Sequence, residues 1–309
     1  MRRKNHILHL VSAFAVTLLL APAIEATELY LVDAHSQVDE KVEPSRVIAR
    51  MQEAGVRHTI LSARGKRKGS DLVAFASRHG RLITPAVRTK GAPYAESSPK
   101  YFRMLDAQVA SGRYGGMAEV LLYHAKKGKK APEYRILPRE KAVVAALKHA
   151  KRQNWPFVIH IEFAALSGPD RQAFMQAMEE LLKKHPRVNF VLTHMGQLAP
   201  DECLRLISEH DNLYFHTAWT NPVAVGRSNQ PWANLFSGDS FAPPWRELMS
   251  LHPERFVFAL DNVFAEHWQR DFYQEQVRFW KTGLADLPAE AAHLIAHGNA
   301  ERLWQLSVD

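Results

Sequence analysis

The stretch Val32-Asp33-Ala34-His35-Ser36-Gln37 closes the first strand-like run after a short leader, and three similar runs downstream end in His160, His194 and Asp261. Chemistry-bearing side chains at the tips of several strands point to a barrel with a metal site at its mouth. Such an enzyme gathers its catalytic groups from the C-terminal ends of different strands, so polar residues recurring where apolar runs stop do more than pack.

Working outward, the chain alternates β-branched or aromatic runs with stretches whose apolar residues recur every three or four positions. Strands are expected at Leu29–His35, Arg57–Ser62, Leu82–Val87, Met117–Tyr123, Pro156–Ile161, Val188–His194, Leu213–His216 and Arg255–Asp261. Helices are expected near Pro44–Ala54, Ser70–His79, Lys100–Ser111, Arg139–Gln153, Asp170–Lys184, Asp201–His210 and Trp245–Ser250, with a helical tail from Gln274 to Leu306. Eight alternating units predict an α/β chain folded as a single (β/α)8 TIM barrel over residues 27–309. No G-x-G-x-x-G or P-loop sequence is present, which argues against a doubly wound nucleotide-binding sheet. The irregular segment from Thr220 to Pro244 predicts a long rim loop, serving as a substrate lid or a contact in a homo-oligomer.

Composition narrows the class further. With 46% hydrophobic residues in 309, a large core is within reach and a disordered chain is excluded. Residues 1–26 read as a cleavable signal peptide: Arg2, Arg3 and Lys4, an apolar stretch from Ile7 to Ala21, then small residues at Ala23 and Ala26. The expected location is therefore periplasmic or secreted. Cys203 is the only cysteine, so no intrachain disulfide forms, and its place beside Leu204 and Leu206 predicts a buried thiol. The formal charge of +8 permits an anionic small-molecule substrate. The densest basic stretches, Arg64 to Lys68 and Lys126 to Lys130, read as solvated loops without interleaved aromatics, so no nucleic-acid partner is expected.

Strand parity places the candidate ligands. In an extended first strand Leu31, Asp33, His35 and Gln37 share a face, as do Val158, His160 and Glu162, Leu192 and His194, and Val257, Ala259 and Asp261. Imidazole and carboxylate suit zinc or another divalent ion. Glu119 interrupts the apolar fourth strand with inward parity, which makes it either a metal ligand or the partner of Arg88 in a buried ion pair.

These motifs resemble the amidohydrolase superfamily, in particular its amidohydrolase-related branch that includes decarboxylases of the aminocarboxymuconate type. The resemblance is carried by Val32-Asp33-Ala34-His35, Val158-Ile159-His160-Ile161, Phe190-Val191-Leu192-Thr193-His194-Met195-Gly196, Phe258-Ala259-Leu260-Asp261 and Gly298-Asn299-Ala300-Glu301-Arg302-Leu303. It implies that His35, His160 and Asp261 bind a metal ion, and it places Gln37 where the family has the second histidine of H-x-H. A neutral amide oxygen binds a zinc-like ion less tightly than imidazole does, so the resemblance implies a weakened or altered metal site. It further implies that Asp261 takes a proton from water and that His194 stabilises oxyanion charge or relays a proton. Arg88, Glu162, Trp219, Arg227 and Asn262 are candidate substrate contacts, and His216 at the end of the seventh strand is either a substrate contact or a structural imidazole. The expected function is an exported metal-dependent hydrolase of an amide, lactone or ester-like bond. A metal-dependent decarboxylase and a barrel reduced to binding are the alternatives.

Overall fold

The computed structural model describes residues 29–128 and 131–308, so the signal peptide expected at residues 1–26 lies outside the described residues. Parallel strands follow one another around a closed barrel: β1 (Leu31–Val38), β2 (Val56–Ala63), β3 (Ile83–Val87), β4 (Gly116–Met117, resuming as Val120–His124), β5 (Phe157–Ile161), β6 (Phe190–Leu192), β7 (Leu213–His216) and β8 (Phe256–Val257). Helices Pro44–Ala54, Gly69–Arg78, Pro99–Ala110, Lys141–Gln153, Gly168–Lys184, Pro200–Glu209, Pro243–Leu251 and Arg270–Ala285 surround it, in the order of a (β/α)8 barrel. Several begin with proline in the first turn, at Pro44, Pro99, Pro200 and Pro243, where the missing N–H has no intrahelical acceptor to lose.

The seam between β1 and the segment after β8 is closed by irregular hydrogen bonds. Ala34 N–H donates to Phe258 O at 3.0 Å, Asp261 N–H to His35 O at 2.7 Å and Gln37 N–H to Asn262 O at 2.7 Å. Asp33 fastens this seam, accepting from Ser36 Oγ at 2.5 Å and from the Leu260 amide at 2.9 Å. Burial pushes the Asp33 carboxyl up to about 7.

Inside the barrel Val32, Ala34, Ile60, Ala86, Ala118, Val158, Val191, Tyr214 and Val257 form one apolar layer. Ala300, Leu303 and Trp304 of the terminal helix Asn299–Trp304 plug its base. Gly116 permits that plug: a Cβ there would meet the Trp304 ring at 2.9 Å. Asn299 ties the plug to the barrel by donating to the Pro253 and Phe256 carbonyls, each at 2.8 Å.

The structure departs from simple strand parity in three places. In β1 a register shift between Asp33 and Ser36 reverses the alternation, so Val32 and Ala34 face inward while Leu31 joins the outer core, and His35 and Gln37 then turn inward. β6 stops at Leu192, an outer-core residue, rather than running to His194. β8 ends at Val257, leaving Asp261 on an irregular continuation rather than on a strand. The expected helical tail divides into Arg270–Ala285, Ala289–His293, a π-turn at Leu294–Gly298 and Asn299–Trp304.

Candidate active site

The upper end of the barrel opens into a cavity of about 1110 Å³ whose lining includes Gln37, Glu119, His160, His194 and Asp261. His160 stands on the regular strand β5, whereas the other four side chains are delivered by local irregularities. β4 changes partners at Ala118-Glu119, pairing with β3 below and β5 above, which frees Glu119 to point across the barrel. Thr89 donates its hydroxyl to the Glu119 carbonyl and holds that break in place. His194, Met195, Gly196 and Gln197 form a left-handed turn, with His194 at φ 56° and ψ 30°. Asp261 also sits in the left-handed region, at φ 49°. Non-glycine residues held in this region are strained, and such strain concentrates at functional sites.

The groups converge. His35 Nε2 lies 3.4 Å from Asp261 Oδ1 and 3.8 Å from Glu119 Oε1, is buried, and makes no hydrogen bond. Gln37 Nε2 donates to Asp261 Oδ1 at 2.7 Å and to Glu119 Oε1 at 3.3 Å, while its amide oxygen is buried without a partner. Lys90 and Glu119 form an ion pair at the same carboxylate. His160 is held at both nitrogens, Nδ1 at 2.7 Å from Glu119 Oε2 and Nε2 at 2.9 Å from Glu162 Oε1, and Lys127 pairs with Glu162 behind it. Charges thus alternate along Lys90, Glu119, His160, Glu162 and Lys127.

Titration follows this arrangement. Burial works against a charged Glu119, but the Lys90 ammonium and His160 reverse the effect and hold the carboxyl well below its ordinary range. Burial likewise opposes a proton on His160, yet Glu119 and Glu162 raise it. Asp261 is raised by burial, against the pull of His35. Burial drives His194 well down, leaving a neutral ring. Its Nδ1 lies 3.1 Å from the Ala218 carbonyl, which fixes the proton there and leaves Nε2 as an acceptor 3.7 Å from Asp261 Oδ2. That tautomer suits proton relay rather than donation to an oxyanion.

Donor chemistry fits a divalent ion. His35, Glu119 and Asp261 each offer a ligand atom, and these atoms lie within 4.8 Å of one another. Glu119, His160 and His194 form a second such group, sharing Glu119. The orphaned His35 nitrogen faces two carboxylates, the arrangement that draws in either a proton or a metal ion. A half-turn of the Gln37 amide would present its unpartnered oxygen to the same space.

Of the candidate substrate contacts, Arg88, Trp219 and Arg227 line the cavity. Trp219 donates its indole N–H to the Asp261 carbonyl at 2.9 Å. Glu162 and His216 are not on the cavity wall. Glu162 is fully buried and spent on His160, Lys127 and the Ala125 amide. His216 lies below His35, its ring stacked at 5.9 Å on that side and at 5.6 Å on Trp304. Asn262 is buried and accepts from Gln276 at 3.0 Å. Glu119 pairs with Lys90, and Arg88 instead donates to the Gly65 carbonyl at 2.9 Å.

Lys90, Arg64 and Lys127 also line the cavity and were not anticipated, and Trp232 joins them from the expected rim loop. Arg64 and Lys127 belong to basic stretches expected to be solvated, but each is half-buried at the mouth. The Lys127 ammonium sits 4.6 Å over the Trp232 ring. Trp232 comes from the segment between Thr220 and Pro244, which folds into a short helix (Pro222–Val225) and a hairpin (Phe236–Ser237 with Ser240–Phe241) and supplies Arg227 and Ser228 to the same wall. A second concavity of about 680 Å³, between helices Lys141–Gln153 and Gly168–Lys184, contains none of these groups.

The amidohydrolase family model matches residues 84–306, from β3 to the terminal helix, with His35 and Gln37 before the matched span. No curated protein matches the sequence. Among solved structures, an uncharacterised TIM-barrel protein of Bordetella bronchiseptica is 15% identical, with a TM-score of 0.57 over 84% of this chain and 81% of that one. A zinc-bound amidohydrolase of Burkholderia multivorans is 12% identical, with a TM-score of 0.56 over 90% of this chain and 100% of that one. A probable 2-pyrone-4,6-dicarboxylic acid hydrolase of Acinetobacter baumannii, with citric acid bound, is 11% identical, with a TM-score of 0.54 over 89% and 99%. At these identities the likeness is one of fold. With its family match spanning β3 to the terminal helix, the chain belongs to the amidohydrolase family.

Proposed function

We propose that the protein is a metal-assisted hydrolase that cleaves an amide, lactone or ester-like bond in a small anionic molecule. The observation that carries this reading is the meeting of His35, Glu119 and Asp261 at one end of a cavity whose wall holds Arg64, Arg88 and Arg227. None of these three arginines has a carboxylate partner at salt-bridge distance among the described residues, and the Arg64 charge opposes that of Arg88. Unpaired guanidiniums at a cavity wall suit a carboxylate-bearing substrate. His35, Glu119 and Asp261 would hold the ion, most simply zinc, with Gln37, His160 or His194 completing the set. Such an ion supplies positive charge that polarises a carbonyl and acidifies water.

The chain's own residues supply the rest. Asp261, raised by burial, is placed to accept a proton, and His194 Nε2 lies beside it as the next acceptor. Trp219 and Trp232 shield the site from bulk water, their rings 5.7 Å apart. Zinc content and turnover on a panel of lactones, esters and amides test the proposal. The wild type is expected to hold about one ion per chain, with both ion and activity lost in His35→Ala and Asp261→Ala. Retention of both in either variant would overturn the assignment. A second reading, a barrel kept for binding alone, draws on Gln37, whose amide satisfies both carboxylates without an ion. It predicts no stoichiometric metal even after supplementation. Release of carbon dioxide from a carboxylated substrate would instead favour decarboxylation. We further propose export through residues 1–26, checked by the N-terminal sequence of protein recovered from the periplasm or medium.

A further inference from the structure

Lys90 leaves the loop after β3, and its ammonium rests on Glu119 Oε1. That same oxygen lies 3.8 Å from His35 Nε2 and 3.3 Å from Gln37 Nε2, so the lysine charge borders the space where the ligand atoms meet. Its backbone is positioned from both sides, by Thr89 on the Glu119 carbonyl and by Arg88 Nε on the Lys90 carbonyl at 3.5 Å. The side chain is 23% exposed and lines the cavity, whereas Glu119 is 3% exposed. Lys90 therefore has an open route away from the carboxylate, and Glu119 has none.

We propose that Lys90 is a displaceable internal cation. In the ion-free protein it neutralises Glu119, and a divalent ion entering among His35, Glu119 and Asp261 drives it off Oε1 into the cavity. There its charge adds to that of Arg88 toward an anionic substrate. Two cations on one buried carboxylate oxygen repel strongly, because little water screens them. Ion affinity is thus lowered by the lysine, and an anion that receives the displaced ammonium raises it again. Linkage requires the converse, that a bound ion tightens the anion. This inference rests on the ion reading of the site.

The test is zinc affinity, measured by competition with a chromophoric chelator, for wild type, Lys90→Met and Lys90→Arg, each with and without sulfate as the probe anion. Lys90→Met is expected to bind zinc at least about tenfold more tightly than wild type, and Lys90→Arg within a few-fold of it. Sulfate is expected to tighten zinc in the wild type and not in Lys90→Met. If the methionine variant does not fold, Lys90→Gln keeps a donor to Glu119 without the charge and carries the same comparison. Equal or weaker zinc binding in the folded neutral variant would overturn the role of Lys90 alone, leaving the ion site standing. A wild type indifferent to sulfate would overturn the coupling to anions. Failure of every variant to bind zinc would overturn the ion site and this inference together.

Discussion

Gln37 bridges to Asp261, its amide nitrogen 2.7 Å from Oδ1, and the same nitrogen leans toward Glu119 Oε1 at 3.3 Å. One neutral side chain therefore ties together the two carboxylates best placed to hold an ion. The amide N–H donates hydrogen bonds where an imidazole nitrogen would offer its lone pair to a metal ion. Gln37→His is expected to tighten zinc by about 10- to 100-fold, the range over which ligand-shell changes act. Isothermal titration checks this, and an unchanged dissociation constant would mean that the position does not face the ion.

Much of this site was legible because its residues interrupt apolar runs. His35, His160 and Asp261 each follow such a run, and they gather around Glu119, His35 beside Asp261 on one side and His160 on the other. The route by which they arrive was not legible. The β1 register shift comes where Asp33 accepts from Leu260, 227 positions away, and no local pattern encodes that contact. The left-handed turn at His194 runs through Met195 and Gln197, residues with no preference for positive φ. Lys90 meets Glu119 across 29 positions, and as a single lysine after Arg88-Thr89 it carries no periodic signal. Arg64 and Lys127 sit in basic stretches whose neighbours are exposed, and only the folded rim separates the inward residues from the solvated ones.

Gly196 stands at φ 62° in the turn that presents His194, and a Cβ there would meet Leu192 Cδ2 at 2.6 Å. Gly196→Ala is expected to cost about 1–3 kcal/mol of stability, from backbone strain and displacement of Leu192. It should also lower turnover by shifting the His194 ring. Chemical denaturation with parallel kinetics checks both effects. Reduced stability at wild-type turnover would separate the turn from the function of His194.

Trp304 closes the base of the barrel and stacks on His216, which in turn stacks on His35. It is 5% exposed, so truncation leaves a large void in the inner layer. Trp304→Ala is expected to destabilise the protein by about 3–5 kcal/mol, and Trp304→Phe by less. Urea unfolding measures this. A loss below about 1 kcal/mol would mean that the inner layer does not depend on the terminal plug.

His267 gives the clearest acid response away from the candidate ligands. Its Nδ1 accepts from the Val263 amide at 3.0 Å, and the ring packs against Trp219, Phe264 and Phe272. Burial drives its pKa down to about 4 from 6.5, because a protonated ring would lose both solvation and that accepted hydrogen bond. Between these values the unfolded chain binds the proton and the folded chain does not, so stability rises with pH across the window. The contribution is complete above pH 6.5 and is lost progressively on acidification toward pH 4, by roughly 3 kcal/mol across the window. Melting curves from pH 7.5 to 4.5 should show a steeper acid decline in the wild type than in His267→Gln, which lacks the titrating ring. Parallel declines in the two proteins would assign the acid sensitivity to other groups.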